Sequence, residues 1–199
     1  NPASVMKLVT TFAALELLGP DYRWTTEAFV DGTLDNGALH GNLVLKGHGD
    51  PRITVEQWQA FMATLVARGL TAVDGDLVLD RSFFAPVAHD AGAFDGEPLK
   101  PYNVGPDALL VNFKAVRIGF APNAAGSGTD VTATPSLASV TIGPPPRLAA
   151  GDCGDWRSTI SAAFVDRGAS AEARFGGRYA ASCGEREWWV ALLDHPDYV

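Results

Sequence analysis

The chain has 199 residues, of which 47% are hydrophobic and 19% are charged, and its net charge at pH 7 is −8. This length and composition predict one or two globular domains and exclude a disordered chain. Its Lys and Arg residues form no cluster that could neutralise phosphates, so we expect no nucleic-acid partner and no basic anchor for an anionic membrane surface.

The sequence shows neither a membrane-spanning segment nor an export signal. No apolar stretch approaches the ~20 residues of a membrane-spanning helix, so no transmembrane segment is expected. The chain opens at Asn1, without an initiator Met or a basic segment ahead of an apolar one. We therefore expect it to begin inside a longer protein or after processing.

Hydrophobic periodicity and turn residues predict a mixture of helices and strands. A first helix stops at Gly19-Pro20, and a strand-loop-helix-strand unit near residues 46 to 84 precedes a loop-rich stretch at 85–106. The predicted helices are Val5 to Leu18 and Val55 to Leu70; the predicted strands are Trp24 to Val30, Gly41 to Leu45, Gly75 to Leu79, Ala108 to Ile118, Asp130 to Thr134, Ser139 to Ile142, Arg157 to Phe164, Ala169 to Phe175 and Glu187 to Leu193.

A short α/β unit set inside a mostly β region indicates that one module is inserted in another. The expected fold class is therefore α+β, with more than one module. Residues 47–51, Gly-His-Gly-Asp-Pro, break the chain sharply. This run is too short for a phosphate loop, so we interpret its glycines as serving a tight turn.

Cys153 and Cys183 are the two cysteines of the chain. They would form a disulfide in an oxidising compartment and remain free thiols in a reducing one, and their spacing does not decide between the two. Neither belongs to a C-x-x-C pair or has a His at ligand spacing, so no zinc site is expected. The four histidines are scattered among loop-like segments, and we predict no metal and no other cofactor.

Ser4-Val5-Met6-Lys7 is the motif that points to chemistry. On a helix the Lys7 amine lies one turn from the Ser4 hydroxyl, and a neutral amine can accept the proton of a serine nucleophile. The positive end of the helix would favour developing negative charge at Ser4. Alone, Ser-x-x-Lys is a weak signal that also fits a solvent-facing helix start with a capping serine.

A wider resemblance supports the catalytic interpretation. Residues 1–10, 13–19 and 22–26 resemble the active-site helix of the low-molecular-mass class C penicillin-binding proteins, the D-Ala-D-Ala carboxypeptidase/endopeptidase family of peptidase S13. Residues 43–51, 75–80 and 102–112 resemble insertion segments of that family, in the expected order. The similarity extends over essentially the whole chain.

The resemblance implies a domain organisation. Residues 1–26 would begin a catalytic domain like those of serine β-lactamases and transpeptidases, interrupted after the Ser-x-x-Lys helix by two nested modules. The outer, β-rich module would comprise residues 27–45 and 105–193, and the inner, α/β module residues 46–104. Residues 194–199 would return towards the catalytic domain.

The resemblance also implies an activity. Ser4 would attack the D-Ala-D-Ala bond of peptidoglycan stem peptides or cross-links, with Lys7 as the base, and β-lactam antibiotics would acylate the same serine. Glu97 and Tyr102 would bind the stem-peptide side chain. The family's location, outside the inner membrane in the periplasm, favours a bridge between Cys153 and Cys183.

The sequence departs from the family pattern in one respect. No Ser-x-Asn and no Lys-Thr-Gly occurs in it, and in the family both motifs follow the insert. We therefore expect them beyond Val199 and expect this chain alone to be inactive. Two alternatives remain: a serine β-lactamase, which needs no large β-rich insert, and a non-catalytic wall-binding or interaction module that retains the serine.

Overall fold

The computed structural model describes residues 2–199, which form four helices and eleven strands. The helices are α1 (Met6–Leu18), α2 (Val55–Ala67), α3 (Trp156–Thr159) and α4 (His195–Tyr198), and short 3-10 helices lie at Ala3–Val5, Pro101–Asn103, Asn112–Lys114 and Ala181–Cys183. The strands are β1 (Thr26–Asp35), β2 (Ala38–Gly47), β3 (Ala72–Asp74), β4 (Leu77–Asp80), β5 (Ala115–Pro122), β6 (Thr129–Thr134), β7 (Val140–Ile142), β8 (Arg147–Ala149), β9 (Ile160–Asp166), β10 (Ala171–Ala180) and β11 (Arg186–Ala191).

The first sheet is built around β2. β1 and β2 form an antiparallel hairpin because Asn36 and Gly37 adopt the positive φ values, 48° and 88°, that a two-residue hairpin turn requires. The other edge of β2 pairs in parallel with β3 and β4. Helix α2 lies in the crossover that leads from β2 to β3. Leu39, Leu43 and Leu45 alternate along β2 and are buried on one face of the sheet.

Helix α2 begins at a capping box. The Thr54 side chain accepts the backbone N–H of Gln57, while the Gln57 side chain accepts the backbone N–H of Thr54. Trp58, Phe61 and Leu65 recur at helical spacing and pack against the buried core. The helix therefore packs its apolar stripe against the buried core, as its amphipathic pattern predicts.

The second half of the chain forms two further sheets that pack together. β5 lies between β6 and β11 in one sheet, and β10 pairs with β7, β8 and β9 in the other. Phe120 of β5 contacts Phe175 and Tyr179 of β10, with ring centroids 5.1 and 6.0 Å apart. The buried Tyr179 hydroxyl donates to the Gly184 carbonyl at 2.8 Å, so an aromatic core joins the two sheets with its polar group satisfied.

The strand predicted at Ala108 to Ile118 is wrong in its first half, since β5 begins only at Ala115. Asn112, Phe113 and Lys114 have positive φ values of 48°, 53° and 51°, which no strand accommodates. The Asn112 side chain donates to the Ala115 carbonyl at 2.8 Å and stabilises this turn. The apolar residues before it are buried because the loop is packed, although no strand includes them.

Four shorter elements also differ from the prediction. The strand predicted at Arg157 to Phe164 starts with the helical turn α3 and becomes extended only at Ile160. β3 and β8 were not predicted, because a three-residue strand is too short to show alternation, and the short helix α4 was not predicted either. The remaining predicted strands and both predicted helices are confirmed, with ends shifted by a few residues.

The first sheet crosses a predicted module boundary. Residues 27–45 were expected in the outer module and residues 46–104 in the inner one. β2 nevertheless pairs directly with β3 and β4, which lie at residues 72–80. The β1–β2 hairpin is therefore hydrogen-bonded to strands of the inner segment.

No helix within residues 2–199 is long and apolar enough to cross a membrane. The longest, α1 and α2, have 13 residues each, whereas a membrane span takes about 20.

Candidate active site

The predicted nucleophile lies at the start of the first helix. Ser4 is in the 3-10 turn Ala3–Val5, which leads directly into α1. Lys7 Nζ donates a hydrogen bond to Ser4 Oγ over 3.3 Å, because residues three positions apart share one helix face. The structure therefore brings the predicted nucleophile and the predicted base together.

Ser4 does not occupy an N-terminal cap position. A serine at that position commonly accepts a backbone N–H of the first turn. The cap positions of the 3-10 turn and of α1 are Pro2 and Val5, and the described hydrogen bond of the Ser4 hydroxyl is the one from Lys7. This arrangement favours the chemical interpretation of the motif over the capping one.

Helix α1 has no buried residue. Phe12 and Leu17 expose 66% and 83% of their surface, and the apolar residues on either side are similarly open. Contiguous apolar surface of this kind marks a contact surface in a folded protein. Within residues 2–199, the helix that carries Ser4 is thus uncovered.

Glu97 and Tyr102, the predicted substrate-binding pair, lie in one turn organised by Asp95. The Tyr102 hydroxyl donates to Asp95 Oδ2 at 2.7 Å, and the Glu97 backbone N–H donates to Asp95 Oδ1 at 3.0 Å. The buried Asn103 side chain donates to Asp95 Oδ1 at 2.7 Å and to the Glu97 carbonyl at 3.0 Å. These contacts hold the predicted pair on one exposed loop, beside the 82% exposed Phe94.

The hydrogen bonds in this turn set the protonation of its polar groups. The bond from Tyr102 lowers the pKa of the Asp95 carboxyl, and the backbone N–H of Glu97 lowers it further. The same bond to Asp95, with the charges of Asp95 and Glu97, raises the pKa of the Tyr102 phenol. Near neutral pH the turn therefore presents an ionised Asp95 and a neutral Tyr102.

The two parts of the predicted site stay apart in residues 2–199. No described hydrogen bond or ion pair joins Ser4 or Lys7 to Glu97 or Tyr102. The predicted site did not include Asp95, although an Asp before Gly96 is a common turn signal. Its bond to Tyr102 spans seven positions, and no periodic pattern indicates such a contact.

Cys153 and Cys183 form a disulfide, with sulfurs 2.12 Å apart, which confirms the predicted pairing. The bridge joins the segment before α3 to the turn that follows β10. Beside it, Ser182 Oγ donates to the Gly151 carbonyl at 2.7 Å, so the same two segments are held by a second contact. Residues 2–199 contain no group of three or more His, Cys, Asp or Glu side chains able to hold a metal ion.

A serine at a helix start with a lysine one turn later is the arrangement of the penicillin-recognising serine enzymes, which form acyl intermediates. The chain carries this pair on a mixed α/β fold with several sheets. Within that class, it belongs to the D-Ala-D-Ala carboxypeptidase 3 (S13) family, whose model matches residues 1–153.

Two curated proteins are similar to part of the chain. The D-alanyl-D-alanine carboxypeptidase DacB of Haemophilus influenzae is 38% identical over 90 residues, which cover 45% of this chain and 18% of that protein. The D-alanyl-D-alanine carboxypeptidase of an Actinomadura species is 40% identical over 83 residues, covering 42% of this chain and 15% of that protein. The matched segments thus span less than a fifth of these relatives.

The fold is similar to that of a solved relative. Penicillin binding protein 4 (dacB) from Haemophilus influenzae superposes with a TM-score of 0.70 at 23% sequence identity, covering 99% of this chain and 43% of that one. Its complex with a novel β-lactam superposes with a TM-score of 0.62 at 22% identity, covering 99% and 40%. The chain therefore shares the fold of less than half of that protein.

Proposed function

We propose that this chain supplies the nucleophile of a serine-type D-Ala-D-Ala carboxypeptidase/endopeptidase that acts on peptidoglycan stem peptides and cross-links. The observation that carries the proposal is the contact of Lys7 Nζ with Ser4 Oγ at a helix start, in a member of the D-Ala-D-Ala carboxypeptidase family. The names of both curated relatives support the same activity.

The reaction follows from the two side chains. Ser4 Oγ attacks the carbonyl carbon between two D-alanines while Lys7 Nζ accepts the hydroxyl proton. The carbon–nitrogen bond then breaks, and the departing amine of the terminal D-alanine takes up a proton. Water hydrolyses the resulting ester and restores Ser4. A β-lactam acylates the same oxygen when its ring amide opens.

The rest of the catalytic apparatus lies outside residues 1–199 in this proposal. The sequence contains neither Ser-x-Asn nor Lys-Thr-Gly, which relay protons and complete the oxyanion hole in this class. The uncovered apolar surface of α1 supports the same conclusion, because an active-site helix needs a sheet to pack on. We place that sheet and both motifs downstream of Val199.

The chain would then be the start of a catalytic domain followed by two nested modules, as the resemblance implies. The loop-rich stretch 85–106 and the two packed sheets of the second half support an inner and an outer unit. Since the β1–β2 hairpin is hydrogen-bonded to β3 and β4, we propose that residues 27–45 pack as part of the inner unit rather than the outer one.

Glu97 and Tyr102 are proposed to receive the free end of the stem-peptide side chain. A carboxyl group next to a phenol, both on an exposed loop, suits an amine or a hydroxyl on that side chain. Asp95 would keep Tyr102 in place. The family and the disulfide support a periplasmic location, where such bridges form and where the substrate lies.

Neither alternative has a specific observation in its favour. The matched family model is that of a carboxypeptidase, not of a β-lactamase, and a non-catalytic module has no use for a lysine directed at a serine.

Labelling with a fluorescent penicillin tests the proposal. In the chain extended by its downstream sequence, Ser4→Ala should abolish the label and Lys7→Ala should slow labelling at least a hundredfold, because the nucleophile loses its base. Ser127→Ala, in the exposed β5–β6 turn, is the matched control and should label at the normal rate. Label that persists in the Ser4→Ala protein would refute the assignment.

A further inference from the structure

His48 lies where the segment after α1 meets the first sheet. The β1–β2 ladder ends with Thr26 opposite Gly47, so the next pair outward is Thr25 and His48. His48 Nδ1 lies 3.2 Å from the Thr25 carbonyl oxygen and 3.4 Å from Thr25 Oγ1, and Nε2 lies 3.4 Å from Glu27 Oε2. One imidazole thus contacts residues on both sides of Thr26.

These contacts are the polar attachment of the segment that leads from α1. Residues 6–25 have described hydrogen bonds and ion pairs to only one residue beyond position 26. That residue is His48, which contacts Thr25. The remaining ones stay within the segment, such as that of Arg23 with the Tyr22 carbonyl. No residue of α1 is buried, so these contacts are the described polar link between the segment after α1 and the first sheet.

The position of His48 is itself fixed by its two neighbouring glycines. A Cβ on Gly47 would lie 2.1 Å from the Ala108 carbonyl oxygen, and a Cβ on Gly49 would lie 2.5 Å from the Phe84 ring. Gly49 also has a φ of +80° and donates its N–H to the Ala108 carbonyl at 2.7 Å. Close backbone packing on two segments, which only glycine permits, therefore holds the loop that carries His48.

Thr25 can bond to His48 Nδ1 in either protonation state. A protonated ring donates from Nδ1 to the Thr25 carbonyl, while a neutral ring that keeps its proton on Nε2 accepts from the Thr25 hydroxyl. Glu27 faces Nε2 in both cases, and the ring of Phe83 packs edge-on at 4.7 Å. Among the described residues, Glu27 forms the one ion pair of His48 within 4 Å.

We propose that His48 is a positioning residue for the Ser4 nucleophile. Its ring bonds to Thr25, at the end of the segment that leads from α1 to β1, in both of its protonation states, and we call this contact the clasp. This role rests on the proposed acyl transfer at Ser4. His48 would act through Thr25 and the segment at residues 19–25, without touching the substrate. The Gly-His-Gly-Asp-Pro turn would then be a junction among the active-site segment, residues 83–84 and residue 108.

Hydrogen exchange tests the clasp without any catalytic activity. In the 199-residue chain, His48→Ala should speed exchange of the amides around residues 24–26 about three- to tenfold, the effect of losing one or two ordinary hydrogen bonds. His48→Asn should restore much of the protection, because its amide nitrogen can donate to the Thr25 carbonyl. His40→Ala is the matched control: His40, on β2, pairs with Asp74 over the same 3.4 Å, but with 58% of its side chain exposed.

A variant of Thr25 separates the two contacts of the clasp. Thr25→Val removes the hydroxyl and keeps the carbonyl, so its amides should exchange no faster than those of His48→Ala, which loses both contacts. Exchange at the wild-type rate in His48→Ala would overturn the clasp.

Acylation in the extended protein tests positioning. His48→Ala should lower the rate constant of acylation by labelled penicillin about three- to tenfold, with little change in the dissociation constant of the non-covalent complex. His48→Asn should recover most of the rate. An unchanged rate together with faster exchange would overturn positioning but keep the clasp, and absence of any label in the wild-type protein would instead refute the proposed function.

Discussion

The hydrogen-bond partners of single residues support the roles proposed for them. Ser4 has its hydroxyl directed at Lys7 rather than at a helix N–H, and Tyr102 has its phenol held by Asp95. By contrast, Asp107 serves structure. Burial alone would raise the pKa of the Asp107 carboxyl, but the hydrogen bonds and charge of Arg81 outweigh burial and leave that pKa below its ordinary value.

Substitutions at Glu97 and Tyr102 should separate stem-peptide turnover from penicillin acylation. Glu97→Gln or Tyr102→Phe should lower kcat/KM for an authentic stem peptide about three- to tenfold and leave the penicillin acylation rate within about twofold, because a simple penicillin does not reach this loop. Glu185→Gln, another exposed acid, is the control. Equal losses with both substrates would indicate a stability effect and contradict the proposed subsite.

Tyr198 should make stability fall in alkaline solution. Burial raises the pKa of its phenol to about 12, and the hydroxyl donates to the Ala115 carbonyl at 2.6 Å. Since the unfolded tyrosine ionises near pH 10, the unfolded state loses its proton first as pH rises. The free energy of unfolding should therefore be unaffected below pH 9 and fall by about 1 kcal/mol by pH 11.

Urea denaturation of the wild-type and Tyr198→Phe proteins measures this effect. The variant should be less stable at pH 8 by about 1 kcal/mol, since the Ala115 carbonyl loses a donor, and its stability should fall less between pH 9 and 11. Tyr179, whose pKa burial also raises, is present in both proteins, so the difference isolates Tyr198. Parallel pH curves would contradict the prediction.

The elements of the chain differ in how far their own sequence explains them. The β1–β2 hairpin follows from an Asn-Gly turn, and α2 from a capping box and an apolar stripe. Helix α1 has the pattern of a packed helix but no surface within residues 2–199 to pack on. The end of β10 depends instead on a covalent link, the bridge between Cys153 and Cys183.

Loss of this bridge should destabilise the chain by about 3 to 4 kcal/mol, because it closes a loop with a sequence separation of 30 in the unfolded state. Urea unfolding of the oxidised chain, compared with a double Cys153→Ser, Cys183→Ser variant, measures the difference. Ser182→Ala, which removes the neighbouring hydrogen bond alone, should cost only about 1 kcal/mol. A double variant as stable as wild type would contradict the prediction.

The molecule as a whole divides into packed sheets and one uncovered helix. The buried core lies within residues 39–198, whereas α1, the helix that follows Ser4, contributes nothing to it. A helix of 13 residues without tertiary packing is marginal in water. The part that carries the proposed nucleophile is thus the part least supported by residues 2–199.

The 199-residue chain should therefore be acylated far more slowly than the chain extended by its downstream sequence. Absence of one oxyanion-hole donor typically costs 10²- to 10³-fold in rate, and here the Ser-x-Asn relay is missing as well. Mass spectrometry of both proteins with excess penicillin measures the difference, with the Ser4→Ala versions as blanks. Acylation of the shorter chain at the rate of the longer one would contradict the proposed division of the site.

The sequence alone predicted the proposed class of chemistry and determined most of the local structure. Ser4 and Lys7 are three residues apart on a helix, and short-range geometry places them in contact whatever surrounds them. Periodicity and turn residues likewise located α1, α2 and most strands, because those signals act over a few residues. Pairing of the two cysteines needed the family resemblance in addition, since spacing alone left it open.

Only the tertiary structure decided the contacts that join distant segments. The hold of Asp95 on Tyr102, the pairing of the hairpin with β3 and β4, and the clasp of His48 on Thr25 each link residues with no periodic relation. The positive φ values at residues 112–114 depend in the same way on a packed loop, and there Asn112 also bonds to Tyr198, 86 residues away. Such contacts depend on how separate elements pack, so no local pattern in the sequence encodes them.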